Sequence, residues 1–167
     1  SFADQAVIAL QNTRLINETQ TALARQTATA DVLRVISESP DDTTPVFNEI
    51  VRLATSLIDC DLANVVEVQG DFFKQVAVAT QNGVEDGIVP VSAPLDPKDN
   101  LPSRAMVSGE TLHIPDWDAA DLPGRDVEIG KKNGFKSSLM LPLRRGGEIL
   151  GGLSFVRRKA HAFSPDE

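Results

Sequence analysis

Residues 137–156 read SSLMLPLRRGGEILGGLSFV, two apolar runs on either side of a Gly146-Gly147 pair. Consecutive glycines are favoured at the centre of a two-residue hairpin turn because both positions need a positive φ. The stretch therefore predicts a β-hairpin in which Arg145 faces Glu148 and Leu143 faces Leu150.

In that register both faces of the hairpin are apolar, which predicts central strands covered on each side. Pro142 has no backbone N–H, and this favours an edge or a bulge at that position. The glycines opposite it, Gly151 and Gly152, leave room for a close approach to the backbone. One face carries Leu139, Leu141, Leu143 and Leu150, and the other carries Ser138, Met140, Ile149, Leu153 and Phe155.

Composition limits the function classes that remain open. The 167 residues include 24 acidic and 16 basic side chains, for a formal net charge of −8, and 41% are apolar. The acidic balance argues against nucleic acid or an anionic membrane as a partner, and no apolar run approaches the roughly 20 residues that span a bilayer. A single cysteine excludes an internal disulfide and thiolate metal clusters. We expect one cytoplasmic domain with an appendage.

The appendage is predicted at residues 1–38, which contain no glycine or proline. They favour one helix of about 38 residues, roughly 57 Å long, most of which should project from the domain. Polar residues such as Gln20 and Thr27 interrupt its apolar seam, as is typical of a weak coiled coil with two packings close in energy. A helix packed on its own domain, or ordered only by crystal contacts, is the alternative. We expect a parallel homodimer through Ala9, Ile16, Leu23 and Ala30.

The remaining chain alternates between helical and extended patterns. After a break at residues 39–42, Thr44-Pro45 begins a core helix that ends near Asp59. Hairpins and flanking helices together indicate an α+β fold, a central antiparallel sheet of five to six strands flanked by helices. Further predicted elements are strands at 62–68, 72–80 and 111–114, helices at 101–107 and 125–133, and a long binding loop at 84–100.

Two blocks carry a family resemblance: GETLHIPD at 109–116 and LMLPLRRGGEILGGLSF at 139–155. With the core helix and the long loop, they make residues 40–167 resemble a GAF domain. The preceding RQTATADVLRVISESPDD, residues 25–42, is similar to the tandem GAF arrays of bacterial sensor histidine kinases and nucleotide cyclases.

A second resemblance lies at the start of the chain. FADQAVIALQNTRLINET, residues 2–19, looks like the last helix of a preceding GAF domain, which normally follows a stretch like FSPDE at 163–167. The resemblance therefore implies a connector helix at 1–38 and a GAF domain at 40–167 that lacks its own last helix. Such a connector would transmit state between neighbouring signalling domains.

The resemblance also bears on cofactors. Bilin-binding relatives attach the chromophore through a cysteine after the long loop, where this sequence has none, so a covalent bilin is disfavoured. The KAHAFSPDE stretch at 159–167 keeps part of the cyclic-nucleotide signature but lacks its Asn and one residue of spacing, which disfavours a cyclic nucleotide. His113 could ligate a haem, although a histidine hydrogen-bonded within the fold is commoner. The cofactor is thus unknown.

Catalytic and metal centres are not indicated. Cys60 lies between Asp59 and Asp61, whose charges raise a thiol pKa and lower its reactivity. Cysteine-using relatives such as the free methionine sulfoxide reductases need more than one cysteine. Neither His113 nor His161 has a metal-binding neighbour at ligand spacing.

If the domain has a pocket, the resemblance places it between the sheet and segments 84–134. Arg104 would hold an anionic group and Trp117 would anchor a ligand, although surface or packing roles remain open for each. The expected lining is Arg104, Asp116, Trp117, Ser138 and Met140.

The leading hypothesis is a non-catalytic sensory or regulatory module of a bacterial signalling protein. It would bind a small molecule or relay conformational state through its helix to an output kinase or cyclase domain outside this chain. The alternatives are a ligand-free dimerisation module and a small redox enzyme.

Overall fold

The computed structural model describes residues 13–23, 27, 44–85 and 92–163. The chain divides into two units, Ser1–Val46 and Phe47–Glu167. In the first, residues 13–23 form helix α1, and Thr27 is also helical. The rest of the helix predicted over 1–38 lies outside the described residues, as do the break at 39–42, part of the loop at 86–91 and the terminal stretch 164–167.

Three further helices and seven strands follow in the described part of the chain. Asn100 caps the second of these helices, because its side chain accepts a hydrogen bond from the Ser103 amide at 2.9 Å. The elements are α2 (Thr44–Leu57), β1 (Leu62–Gln69), β2 (Phe72–Thr80), β3 (Gly83–Val84), β4 (Ser92–Pro94), α3 (Leu101–Ser108), β5 (Leu112–Ile114), α4 (Gly124–Asn133), β6 (Ser137–Arg145) and β7 (Glu148–Arg157).

The strands form one antiparallel sheet in the order β3-β2-β1-β7-β6-β5, and β4 also pairs with β2. This confirms the predicted α+β fold with helices flanking an antiparallel sheet. The sheet has seven strands rather than five to six. The difference comes from β3 and β4, whose two and three residues are too few to leave an alternating pattern in the sequence.

The predicted hairpin is β6–β7, and Gly146 and Gly147 have the expected positive φ of 58° and 89°. Its register was predicted wrongly beyond the turn, because Leu143 pairs with Gly151 rather than with Leu150. A β-bulge explains the shift, since Leu150 is an extra residue in β7. The bulge turns Leu153 onto the same face as Leu139, Leu141 and Leu143, where apolar packing is available.

Pro142 is not the site of a bulge. It pairs regularly with Gly152, and β5 reaches only as far as Met140 along β6. The missing N–H of Pro142 therefore removes no hydrogen bond to β5, which is why the sheet accommodates a proline in this strand.

Helix α2 covers one face of the sheet. Its apolar stripe includes Phe47, Ile50, Val51 and Ala54, spaced at three and four residues. Below them, alternate residues of the central strands complete a core in which Val51 and Cys60 are fully buried. The strand residues of this core are Ala63, Val65, Ala77, Ala79, Leu139 and Phe155.

Helices α3 and α4 lie over the opposite face. Leu101 and Ala105 of α3 pack against the strand residues whose side chains point to this face of the sheet. Trp117 and Phe135 fill the space beside α4. Within the described ranges, no helix has the length and hydropathy needed to cross a membrane. The space between this face and the two helices contains the candidate site.

Candidate ligand cavity

A cavity of about 60 Å³ lies between the sheet and the α3–α4 side of the domain. Its walls are mostly apolar. They come from strands β1, β2, β6 and β7, from β4, from the start of α3 and from the segment between α3 and β6. The lining comprises Leu62, Asn64, Val66, Phe73, Gln75, Ala93, Asn100, Pro102, Trp117, Arg125, Asp126, Ile129, Phe135, Met140, Ser154 and Val156.

Polar side chains from three adjacent strands lie on the floor of this cavity. Asn64 of β1 pairs with Ser154 of β7, and both are buried, with 7% and 3% of their surface exposed. Gln75 of β2 pairs with Val66, two residues along β1 from Asn64. A bulge at Val76 keeps Gln75 on the cavity side, because it shifts the alternation of β2 between Gln75 and Ala77.

Two oxygens of this floor have no hydrogen-bond partner among the described residues: Asn64 Oδ1 and Gln75 Oε1. Buried polar atoms in native proteins are nearly always paired with protein or water, and an unpaired one costs about 1–3 kcal/mol. A donor bound in the cavity, from a ligand or from water, would satisfy these two oxygens.

The opposite wall contains charged groups near the N-termini of α3 and α4. Asp126 Oδ2 accepts a hydrogen bond of 2.9 Å from the Leu101 amide, at the N-terminus of α3. Arg125 is paired with Asp99, with 3.2 Å between Nε and Oδ2. These contacts hold the start of α4 against the start of α3.

Asp126 is 4% exposed, and its burial raises the pKa of the carboxyl from 3.8 to about 6. The nearby Asp99 carboxylate acts in the same direction, whereas the Leu101 amide and the Arg104 and Arg125 guanidinium groups oppose it. Desolvation is the largest effect, because the hydration free energy that the buried carboxylate loses exceeds the stabilisation that these partners give it. The folded state thus binds the Asp126 proton more tightly than the unfolded chain does.

This proton makes stability depend on pH. A raised carboxyl pKa stabilises the fold fully below about pH 4, and that contribution is lost as the pH rises through about 6. A shift of about two units corresponds to about 3 kcal/mol. We expect Asp126→Asn, which keeps an acceptor for the Leu101 amide, to unfold at higher urea concentration than the wild type at pH 7.5. The advantage should shrink towards pH 4.

Glu128→Gln is the matched control, because it removes a carboxylate from an exposed position on the same helix. Its unfolding midpoint should follow the wild-type pH dependence. A constant difference between Asp126→Asn and wild type from pH 4 to pH 7.5 would contradict the burial argument.

Trp117 forms part of the cavity wall and is 6% exposed. Its Nε1 donates to Ser138 Oγ at 2.9 Å, and its ring meets Phe135 edge-on with centroids 6.1 Å apart. The ring packs directly on Gly130 of α4, where a Cβ would lie 2.7 Å from Trp117 Cε3. Gly130 is therefore required by packing, and the single tryptophan of the chain can report on the cavity.

We expect Gly130→Ala to destabilise the domain by about 1–3 kcal/mol, because the added methyl group must displace a locked indole ring. Alanine's better helix propensity, worth about 1 kcal/mol, offsets only part of this cost. Urea unfolding and tryptophan fluorescence would measure both the loss and the ring movement. Gly124→Ala, on the same helix with open space around it, should change the unfolding free energy by less than about 0.5 kcal/mol. Equal effects of the two substitutions would contradict the packing argument.

The structure brings two of the five expected lining residues to the cavity, Trp117 and Met140. Ser138 lies behind them, where its hydroxyl accepts the Trp117 hydrogen bond. The Arg104 guanidinium instead donates to the carbonyl oxygens of Pro97 and Asp121, both at 2.9 Å, which ties two loops together.

Asp116 also lies outside the cavity lining. Its Oδ1 accepts a hydrogen bond from the Asp118 amide at 3.0 Å, and its Oδ2 is 3.9 Å from His161 Nε2. The Asp116 side chain thus stabilises the loop beside Trp117.

Sequence reasoning missed the polar floor and Asp126. Asn64 interrupts the apolar run of LANVVEV in β1, and a buried amide in such a strand is a signal that could have been used. Gln75 gave no such signal, because the bulge that keeps it on the cavity side is not visible in the sequence pattern.

The two histidines lie beside an aromatic ring and a carboxylate, respectively. His113 meets the Phe163 ring edge-on at 6.4 Å, and His161 lies near Asp116. Over residues 13–23, 44–85 and 92–163, no group of three or more His, Cys, Asp or Glu side chains is placed to hold a metal ion.

Cys60 is fully buried under α2, and this burial raises the pKa of its thiol to about 11. Asp61 and Asp59 add to the rise, and Arg157 opposes it. The thiolate is the reactive form of cysteine. We therefore expect iodoacetamide at pH 7.5 to leave the folded chain unmodified and to alkylate it in 8 M urea, measured by intact mass. Rapid alkylation without urea would contradict the burial.

The profile of the GAF domain family matches residues 42–167. The chain belongs to the GAF domain family. A search of curated proteins gave no significant match to the sequence.

Solved structures of GAF domains share the fold at low sequence identity. The GAF domain of a phosphoenolpyruvate-protein phosphotransferase from Coxiella burnetii superposes with a TM-score of 0.67 at 14% identity, covering 90% of this chain and 84% of that one. A domain assigned to a two-component sensor histidine kinase of Sinorhizobium meliloti gives 0.56 at 17% identity, with coverages of 75% and 80%.

A substrate complex of free methionine-R-sulfoxide reductase from Neisseria meningitidis also shares this fold. It gives a TM-score of 0.61 at 15% identity, covering 87% of this chain and 79% of that chain. The fold is thus shared by a domain of a signalling protein and by an enzyme, so the fold alone does not distinguish these roles.

Proposed function

We propose that this chain is a non-catalytic sensory GAF module of a bacterial signal-transduction protein, which binds a small molecule between its sheet and helices α3 and α4. The observation that carries the proposal is the pair of unpartnered buried oxygens, Asn64 Oδ1 and Gln75 Oε1, on the cavity floor. An apolar cavity with a few convergent polar groups is the usual form of a small-molecule site.

The relay of the bound state is proposed to run through the N-terminal helix to an output domain outside this chain. In α1, the side chains of Leu15, Ile16 and Leu23 are 59%, 56% and 62% exposed. Thr19 and Gln20 lie between these leucine and isoleucine positions. Large apolar groups exposed along one helix, with polar groups interleaved, support a marginal coiled-coil contact with a second copy. Of the proposed contact residues, Ala9 and Ala30 lie outside the described residues.

Native mass spectrometry of the purified chain, compared with its denatured mass, tests both parts of the proposal. We expect a dimer that carries additional non-covalent mass. Ser154→Leu would fill the cavity and should remove that mass, whereas Ser56→Leu, an exposed position on α2, should retain it. Bound mass that survives Ser154→Leu would place the ligand elsewhere and overturn the site.

The helix contact has a separate test. Leu23→Glu adds a like charge at the proposed seam and should convert the dimer to monomer, whereas Gln20→Leu with Thr27→Leu should strengthen the dimer and lock one packing. If neither variant changes the dimer dissociation constant or the signalling output of the full-length protein, the connector proposal fails.

The second candidate function is a ligand-free dimerisation module. The observation that favours it is the cavity volume of about 60 Å³, small beside the roughly 300–1,000 Å³ of typical ligand pockets. A dimer without additional mass would select this candidate.

Catalysis by this domain is not proposed. The only cysteine of the chain is buried beneath α2 on the other face of the sheet from the cavity. A redox reaction of the sulfoxide reductase kind would need an accessible thiolate.

A further inference from the structure

The chemistry of the cavity floor restricts which ligand can fill it. Asn64 is 7% exposed, so its side-chain oxygen has no access to bulk water, and Gln75 Oε1 is equally shielded. Both atoms are hydrogen-bond acceptors and cannot donate. The groups that would satisfy them must therefore donate.

The two acceptors belong to one site. They come from neighbouring strands on the same face of the sheet, and the bulge at Val76 keeps the second of them there. The pairing of Val66 with Gln75 sets Asn64 and Gln75 two residues apart along the strands, a separation of about 6–7 Å in that direction. A ligand needs at least two N–H donors to satisfy both oxygens.

The size of the cavity limits the ligand further. About 60 Å³ corresponds to two waters at about 30 Å³ each, or to a few non-hydrogen atoms. The remaining wall combines apolar side chains such as Phe73 and Met140 with a few polar groups, among them the Asp126 carboxylate.

We propose that the cavity selects a compact ligand, or the compact head group of one, that directs N–H donors at Asn64 Oδ1 and Gln75 Oε1. Primary amides and protonated small amines share this chemistry. The inference rests on the proposed ligand-binding function and adds the class of ligand. Asn64 and Gln75 are then the specificity-determining residues.

The test uses acetamide and methylammonium as donating probes and acetone as an acceptor-only probe of the same shape as acetamide. Each is titrated into the full chain, with the fluorescence of Trp117 and the side-chain amide NMR signals of Asn64 and Gln75 as readouts. We expect at least one donating probe to bind about tenfold more tightly than acetone, the ratio that one hydrogen bond supports. Tighter acetamide binding assigns a neutral amide, and tighter methylammonium binding assigns a protonated amine.

The double variant Asn64→Leu with Gln75→Met replaces both acceptors by apolar groups of similar size. It should weaken binding of the donating probe by about tenfold or more. Without probe, its urea midpoint should equal or exceed that of the wild type, because the unpaired acceptors are gone. Gln69→Met, at the exposed end of β1, is the matched control and should leave both measurements unchanged.

Two outcomes would overturn the proposal. Equal affinity for acetamide and acetone would show that the floor does not select donors, although the cavity would remain a ligand site. A lower urea midpoint of the double variant without probe would show that ordered waters already satisfy the two amides. The absence of any bound mass and of binding by all three probes would instead remove the ligand-binding function itself.

Discussion

Substitution of Gly151 by alanine is expected to be the most damaging single-methyl change in the domain, with a loss of about 3 kcal/mol or more in unfolding free energy. A Cβ on Gly151 would lie 2.0 Å from the carbonyl oxygen of Val66 and 3.1 Å from its carbonyl carbon. Both atoms belong to the backbone of β1, so no side chain can rotate away. The strands β1 and β7 would have to separate at the centre of the sheet.

The neighbouring glycine provides the control. In Gly152→Ala the nearest contact of the new Cβ is Met106 Cγ at 3.4 Å, at the side of a flexible side chain. We expect this variant to lose less than about 1 kcal/mol. Urea unfolding of the two variants at the same pH measures the difference. Equal midpoints would contradict the close strand approach at Gly151.

Removal of the Arg157 guanidinium is expected to cause the second large loss of unfolding free energy. From the end of β7, it donates hydrogen bonds to the backbone oxygens of Ile58, Asp59 and Ala162, with 3.1 Å between Nε and Asp59 O. It also lies over the Phe163 ring, 4.3 Å from the centroid. One side chain thus joins the segment after α2 to the segment that leaves the sheet.

Carbonyl groups just beyond a helix C-terminus lack partners within the helix and favour a cation. Hydrogen bonds to a charged group are worth about 1.5–3 kcal/mol each, although they are not additive. We expect Arg157→Ala to lower the unfolding free energy by about 3–4 kcal/mol, measured by urea denaturation. Hydrogen exchange at residues 58–62 and 160–163 should increase more than elsewhere.

Arg157→Lys should recover only part of the loss, because a single ammonium group cannot hold three carbonyls in a planar fork. Lys159→Ala, which removes a positive charge from an exposed position two residues away, should cost less than about 0.5 kcal/mol. If Lys159→Ala and Arg157→Ala had the same effect, net charge rather than the local bonds would be responsible.

Local chemistry explains why most elements could be predicted. The Gly146-Gly147 turn needs only two residues of positive φ, and the caps at Asn100 and Gly109 act within one helical turn. The apolar spacing of α2 likewise predicts which face it buries. Each of these signals involves residues that are close together in the sequence, so the sequence alone is enough to recognise it.

The register of β7 and the cavity floor depend on a different kind of information. The bulge at Leu150 forms because Gly151 must meet β1 closely while Leu153 and Phe155 reach the α2 face. The bulge at Val76 similarly keeps Gln75 beside Asn64. Both bulges are set by contacts with another strand, so the residue pattern within one strand does not predict them.

The same contrast separates the expected lining from the observed one. Arg104 has the side chain of an anion-binding residue, but two loop carbonyls occupy its guanidinium. Asp126 belongs to a charged helix in the sequence, yet the Leu101 amide 25 residues away holds it inside the fold.

The sequence by itself indicated the family through the resemblance of the blocks at 109–116 and 139–155. It also determined the antiparallel α+β sheet and its covering helices, because turns, caps and apolar periodicity are local properties of the chain. Only the tertiary structure decided which polar side chains meet in the cavity and which lack a partner. That outcome depends on strand register and on long-range packing, which join Asn64, Gln75 and Ser154 from three separate strands.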